Sequence, residues 1–293
     1  MKFLNISSII TPLLLLSLLS TSAMAGQYVY GLSDDNKIHQ IDLTSYLDSI
    51  VFDTGLSGST NGAAWDSAAG KLYYRTPEND STSAAPLYSW APATNTQSML
   101  GGQSLPGFTA NAAMYNGAYW YVESNTHTLV KASLVALDAT HSGVANVTTF
   151  DNFDGSNLTS FSFGDITSSQ AGILYGSSNH GLFSLNIAGA APSQFQVINP
   201  GFGVRQISLD PSGTFLYDHD YATGKWYRSD LNGIETPVYS APGVQFATTG
   251  LRDIGDVLST PPIIQAVPEP SAWQLLLAGA ACVVLPRLRR TRS

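Results

Sequence analysis

Four aspartates, Asp66, Asp165, Asp210 and Asp253, recur at similar places in four stretches of this 293-residue chain. Acids held at a fixed separation on neighbouring strands can serve as the general acid and base that cleave a glycosidic bond. That reaction needs two carboxyl groups and commonly a third to tune them. Two of the four have a plainer role. Asp66 precedes the turn "SAAG" and Asp210 the turn "PSG", where an aspartate simply caps the turn through its own backbone. Glu78, Glu123 and Glu235 lie off these stretches. Asp165 and Asp253 remain, and if they merely line a solvated channel, their joint replacement by Asn leaves folding nearly intact.

Other candidates for chemistry are sparser. "DNFDGSN" at 151–157 offers Asp151, Asp154 and Asn157 around the turn glycine Gly155. Calcium wants six to eight oxygens, and this spacing departs from the EF-hand pattern; an Asx-turn connection explains the stretch as well. No other cofactor is expected. The histidines, His39, His127, His141, His180 and His219, show no zinc-ligand spacing. "DHD" at 218–220 reads as a polar turn between strands rather than a metal clamp. There is no Gly-x-Ser-x-Gly elbow, and Cys282 is the only cysteine. Catalytic residues are therefore assigned to none of these motifs.

The elements that would position such residues repeat along the chain. "GAAWDSAAGKLYYRTP" (62–77), "NAAMYNGAYWYVES" (111–124), "FGDITSSQAGILYGSS" (163–178) and "VRQISLDPSGTFLYDHD" (204–220) each read as strand, turn and aromatic-rich strand. A third strand follows in "PLYSW", "TLVKASL", "GLFSLNI" and "KWYRSDL", and a weaker fourth in "VTTF", "QFQVI" and "TPVYS". The N-terminal region supplies "YVYGLS" and "KIHQIDL" with no first strand before them, while "ATTGLRDIG" (247–255) is a first strand with no unit after it. Joined, they complete one unit and leave the ring without a loose edge. Tyr30, Tyr74, Tyr121, Tyr175 and Tyr217 mark the period, at separations of 44, 47, 54 and 42 residues, which suits four-stranded blades. The expected fold is all-β, a single propeller of five four-stranded blades. A sixth blade would have to hide in the longer third repeat. The recurring aromatics fill the wedges between blades.

Between Gln27 and Ala266, eight Lys or Arg face twenty Asp or Glu, a net charge of −12. Nucleic acid and anionic membrane surfaces are poor partners for such a chain. No local basic patch is visible in the sequence. Without cysteine outside residue 282, disulfides do not hold this domain.

The flanking segments read as addresses. Lys2, the apolar "IITPLLLLSLL" and "AMA" before Gly26 fit a secretion signal cleaved after Ala25, with Ala23 and Ala25 as the small residues. From Ala272 to Leu285 there is no formal charge, and Arg287, Arg289, Arg290 and Arg292 follow. The apolar stretch is shorter than the roughly 20 residues of a comfortable span, yet it can cross a slightly thinned bilayer with the arginines on the cytoplasmic side.

The order Val267, Pro268, Glu269, Pro270, apolar span, arginine cluster resembles the PEP-CTERM sorting signal of Gram-negative bacteria over residues 267–293. The resemblance implies a protein held transiently in the inner membrane, cut near Pro-Glu-Pro by an exosortase and then exported, often alongside exopolysaccharide. Cys282 and Pro286 depart mildly from the pattern. The divisions expected are a signal peptide at 1–25, the propeller at 26–260, a linker at 261–271, a transmembrane sorting helix at 272–286 and a basic cytoplasmic tail at 287–293. Expected partners are the Sec translocon, the exosortase, and extracellular polysaccharide or envelope proteins. The expected function is a non-enzymatic binding or scaffold protein of the cell surface or extracellular matrix. The alternative is an extracellular glycan hydrolase or lyase using carboxylates at the channel mouth.

Overall fold

A computed structural model of the chain describes residues 26–76, 85–105, 107, 109, 111–135, 144–149 and 162–259. In chain order, β1 (Tyr28–Ser33), β2 (Lys37–Asp42) and β3 (Leu47–Asp53) begin blade 1. Blade 2 is β4 (Asn61–Asp66), β5 (Lys71–Arg75), β6 (Ala85–Ala91) and β7 (Thr96–Leu105). Blade 3 follows as β8 (Ala112–Tyr115), β9 (Ala118–Glu123), β10 (Thr128–Ser133) and β11 (Val144–Thr149). Blade 4 holds β12 (Phe163–Ser168), β13 (Ile173–Ser178), β14 (Gly181–Asn186) and β15 (Ser193–Asn199). Blade 5 holds β16 (Gln206–Leu209), β17 (Phe215–His219), β18 (Trp226–Asp230) and β19 (Glu235–Pro237). A small hairpin, β20 (Tyr239–Ala241) and β21 (Val244–Gln245), precedes β22 (Leu251–Ile254), which pairs antiparallel with β1 and completes blade 1.

Each blade is thus a four-stranded antiparallel sheet. The innermost strands touch in the cyclic order β22, β4, β8, β12, β16 and back to β22. The ring of five blades closes as the repeats imply. Tight turns make the hairpins possible. Between β8 and β9, Asn116 and Gly117 both take positive φ, 49° and 70°, the two-residue turn whose twist suits paired strands.

Among the described residues, five apolar clusters hold the ring, one in each wedge. Tyr30, Leu32, Ile38, Trp65, Tyr74 and Trp90 pack between blades 1 and 2. There the Tyr30 ring lies 5.4 Å from Trp65 and 5.1 Å, edge-on, from Trp90. Tyr73, Leu87, Tyr119 and Tyr121 fill the next wedge, and Trp120, Leu129, Ile166, Leu174 and Phe183 the third. Leu182, Ile207, Leu209 and Leu216 fill the fourth. Val29, Ile41, Trp226, Phe246, Leu251 and Ile254 weld blade 5 to blade 1. Large rings bury the most area per residue, which is why aromatics gather where blades diverge.

Register changes two members of the tyrosine series. Tyr30 lies opposite Gly255, Tyr175 opposite Thr167 and Tyr217 opposite Ser208. The matching places in blades 2 and 3 are Tyr73, opposite Ala64, and Trp120, opposite Ala113. Tyr74 and Tyr121 are one residue further along, so they face the preceding blade, because side chains alternate along a strand. "TPVYS" also departs from a single strand. β19 ends at Pro237, which has no N–H for the ladder, and the chain turns into the β20–β21 hairpin. That hairpin brings Phe246 beside Trp226, with Phe246 accepting from the Trp226 N–H at 3.1 Å. Among the described residues no helix is long and apolar enough to cross a membrane. The signal peptide, the Val267–Pro270 motif, the sorting span, the arginine tail, Glu78, His141 and the Asp151–Asn157 candidate all lie outside the described residues.

Candidate functional site

The inner strands begin at one mouth of the ring, and three of them carry a register shift near that end: at Asn61/Ala64, at Phe163/Ile166 and beside Asp253. Such bulges re-aim side chains. Aligned through their pairing, Asp253, Gly62, Asn111, Asp165 and Gln206 occupy one ring of equivalent positions, one from each blade.

Asp165 and Asp253 do not line a solvated channel; both are fully buried. Asp165 Oδ1 accepts from the Ile166 N–H (2.7 Å) and its Oδ2 from Ile207 in blade 5 (3.2 Å). Asp253 Oδ1 accepts from the Ile254 N–H (3.0 Å) and its Oδ2 from Ala63 in blade 2 (2.7 Å). Each carboxyl therefore bonds its own strand and the inner strand of the next blade. Burial raises both pKa values, and the two groups are hydrogen-bonded neighbours whose charges oppose each other. This is a structural clasp between blades, and it corrects the expectation of tolerant channel residues.

The rest of the ring position follows the same logic. At Gly62 (φ 70°) a Cβ would collide with the Tyr119 hydroxyl, which donates to the Gly62 carbonyl at 2.6 Å. Asn111 Oδ1 accepts from the Val122 N–H at 3.0 Å. Deeper along the axis, Thr167 Oγ1 donates to Asp256 (2.7 Å), whose pKa burial lifts to about 6.

Asp66 and Asp210 are turn caps, as read from the sequence. Asp66 Oδ1 accepts from the Ala68 and Ala69 N–H groups. The Asp210 carboxylate accepts from Ser212, Thr214 and Phe215, and these bonds hold its pKa below the ordinary carboxylate value despite its burial. Glu123 caps the turn after β9 through Asn125 and Thr126.

"DHD" is not a turn throughout. Asp218 and His219 belong to β17 and are fully buried; only Asp220 starts a turn, accepting from the Ala222 and Thr223 N–H groups. The strand runs on because Asp218 finds a buried partner, the Ser229 hydroxyl at 2.5 Å, while the His219 ring lies 4.9 Å from that of Trp226. Burial lifts Asp218 to about 7 and depresses His219. Among the described residues no three His, Cys, Asp or Glu side chains come together as a metal-binding group.

What the sequence reading missed is a cavity of about 300 Å³ at the same mouth. Arg205 and Arg252, 47 residues apart, both line it. Neither is an open cation. Arg205 pairs with Asp220 (2.5 Å) and Glu235 (3.5 Å), and Arg252 faces Asp34 at 3.6 Å. Isolated arginines in two different blades carry no local signal of such a meeting.

No family model matches the chain, and no curated protein matches it. Solved structures do. The chain is similar to a nidogen/laminin complex structure, at 14% identity and a TM-score of 0.51, covering 80% of this chain and 82% of that one. It is similar also to an auxiliary nutrient binding protein from Bacteroides ovatus, at 11% identity and a TM-score of 0.51, covering 78% of this chain and 58% of that one. At these identities the likeness concerns the fold alone, a β-propeller.

Proposed function

We propose that this chain is an exported, non-enzymatic binding or scaffold propeller, sorted to the cell surface or extracellular matrix by processing at Val267–Pro270. The observation that carries the non-catalytic part is the state of Asp165 and Asp253. Glycosidic chemistry needs two carboxyl groups that reach the substrate, and these two are sealed and occupied by backbone N–H groups. With Asp66 and Asp210 committed to turns, the hydrolase alternative loses all four of its aspartates. A rigid ring that presents loops to extracellular polysaccharide or to envelope proteins is the reading that remains best supported.

The sorting part rests on the order of the Pro-Glu-Pro motif, the short apolar stretch and Arg287, Arg289, Arg290 and Arg292. Proline restricts its preceding neighbour to extended conformations and cannot donate a backbone hydrogen bond. These properties of proline suit recognition of the motif by a membrane enzyme. In a host that possesses an exosortase, the protein is expected outside the inner membrane without its arginine tail. Pro268→Ala with Pro270→Ala traps the full-length form in the membrane. Mass spectrometry checks this, and exported protein that still ends in Ser293 would overturn the sorting assignment. Incubation of the exported protein with a glycan panel should release no reducing ends.

A further inference from the structure

The cavity at the mouth has features that point to a ligand. Its volume of about 300 Å³ sits at the small end of small-molecule sites, enough for one sugar ring and part of a second. Phe163 and Tyr221 supply aromatic surface, and Asn61, Gln206, Asp220 and Arg205 supply flat polar groups. Tyr221 is 53% exposed, its hydroxyl leaning 3.4 Å from Asp34 across the blade 5–blade 1 boundary. A large ring left in water at a cavity rim presents a face for C–H groups, with a polar tip alongside. Amide, carboxylate and guanidinium groups offer donors and acceptors at fixed spacing, which matches the adjacent hydroxyls of a pyranose. Gln206 Oε1 is buried with no hydrogen-bond partner, and a hydroxyl donor would relieve that cost.

Charge decides between sugar classes. Three carboxylates, Asp34, Asp220 and Glu235, hold the two guanidiniums of this mouth. A uronate or phosphate arriving there meets compensated cations and a surplus of negative charge, within a domain that is acidic overall. Like-charge approach is unfavourable for recognition.

We infer that this cavity binds a ring of an uncharged hexose-type saccharide, with Tyr221 as its stacking platform and Asp220, Asn61 and Gln206 as hydroxyl partners. The inference rests on the binding reading above and gives it a ligand class and a place. Asp220 is held ready by Thr223 and Arg205: hydrogen bonding from Thr223 and the charge of Arg205 keep its pKa below the ordinary value against the opposing effect of burial, so it stays an ionised acceptor at neutral pH.

The test is calorimetric titration of the exported protein with tetraoses of glucose, mannose and galactose, alongside tetragalacturonate. At least one neutral tetraose is expected to bind with Kd below about 1 mM, and tetragalacturonate at least tenfold more weakly. Tyr221→Ala weakens the neutral ligand at least tenfold while the domain still melts cooperatively, because more than half of the side chain is exposed. Absence of neutral binding, preference for the uronate, or indifference to Tyr221→Ala each overturns the assignment. Saccharide binding that ignores Tyr221→Ala sinks this cavity and leaves the binding reading standing. Release of reducing ends in the same mixtures sinks the non-enzymatic reading instead.

Discussion

Deletion of residues 247–258 abolishes the cooperative fold of the whole domain. The segment contains β22, the strand that joins blade 1 to the ring. Its loss removes the Leu258–Tyr28 backbone pair (2.7 and 2.9 Å), the Gly255 N–H bond to Tyr30 and the Asp253 clasp onto Ala63. It also removes Leu251, Ile254 and Val257 from the wedge between blades 5 and 1. Burying each such side chain stabilises by about 1.5–3 kcal/mol, and a domain's net stability is only about 5–15 kcal/mol. The loss would also leave β1 with an open strand edge at the gap, which invites association. Circular dichroism should show no sharp melting transition, and gel filtration an expanded or aggregated species. A monomer with an unchanged transition would count against closure through β22.

The buried acids give the second large effect. Stability falls as pH rises from about 5 to 8. Asp165, Asp253, Asp218 (about 7) and Asp256 (about 6) all have folded pKa values raised from 3.8 by burial. Between 3.8 and the folded value, the folded state holds a proton that the unfolded state has lost. Their contribution is therefore complete below the unfolded pKa and disappears as pH climbs through the folded one. For fully buried Asp218, a rise of about three units corresponds to on the order of 4 kcal/mol at most. His219 acts oppositely: its depressed pKa costs stability as pH falls below 6.5. The four acids outweigh the one histidine, so the melting temperature at pH 5 exceeds that at pH 8. Equal melting temperatures at these two values would refute the assignment.

Joint replacement of Asp165 and Asp253 by Asn supplies a matched test of the clasp. An amide has one acceptor oxygen where each carboxyl uses two, so one buried N–H in each blade pair loses its partner. Each such loss costs about 1–3 kcal/mol, or a melting decrease of roughly 2–4 °C per kcal/mol for a domain of this size. A double variant that melts within a degree of the parent would return these residues to the solvated-channel reading.

The blades were legible because strand, turn and strand recur with Gly or Asn at the turns, and the closure because an incomplete N-terminal unit matches an unclaimed C-terminal strand. Register was less legible. The shift between Asn61 and Ala64 lies in an ordinary-looking "NGAA", and a displacement of one residue moves Tyr74 to the opposite face of its blade. Burial of Asp165 and Asp253 was hidden for a related reason. In sequence they look like Asp66, and what distinguishes them is a backbone N–H from a neighbouring blade, about forty residues away for Asp165 and nearly the whole domain away for Asp253. The mouth cavity depends on where separate blades meet, a relation no short motif encodes.

The Asp165–Asp253 clasp has one more consequence. With Tyr119, Thr167 and Ser208 also buried, the Ile207 and Ala63 N–H groups that the two carboxyls accept from are shut away from solvent. An amide held in this way exchanges its hydrogen only when the neighbouring blades part. These two protons are therefore clocks for the opening of the blade 4–blade 5 and blade 1–blade 2 seams.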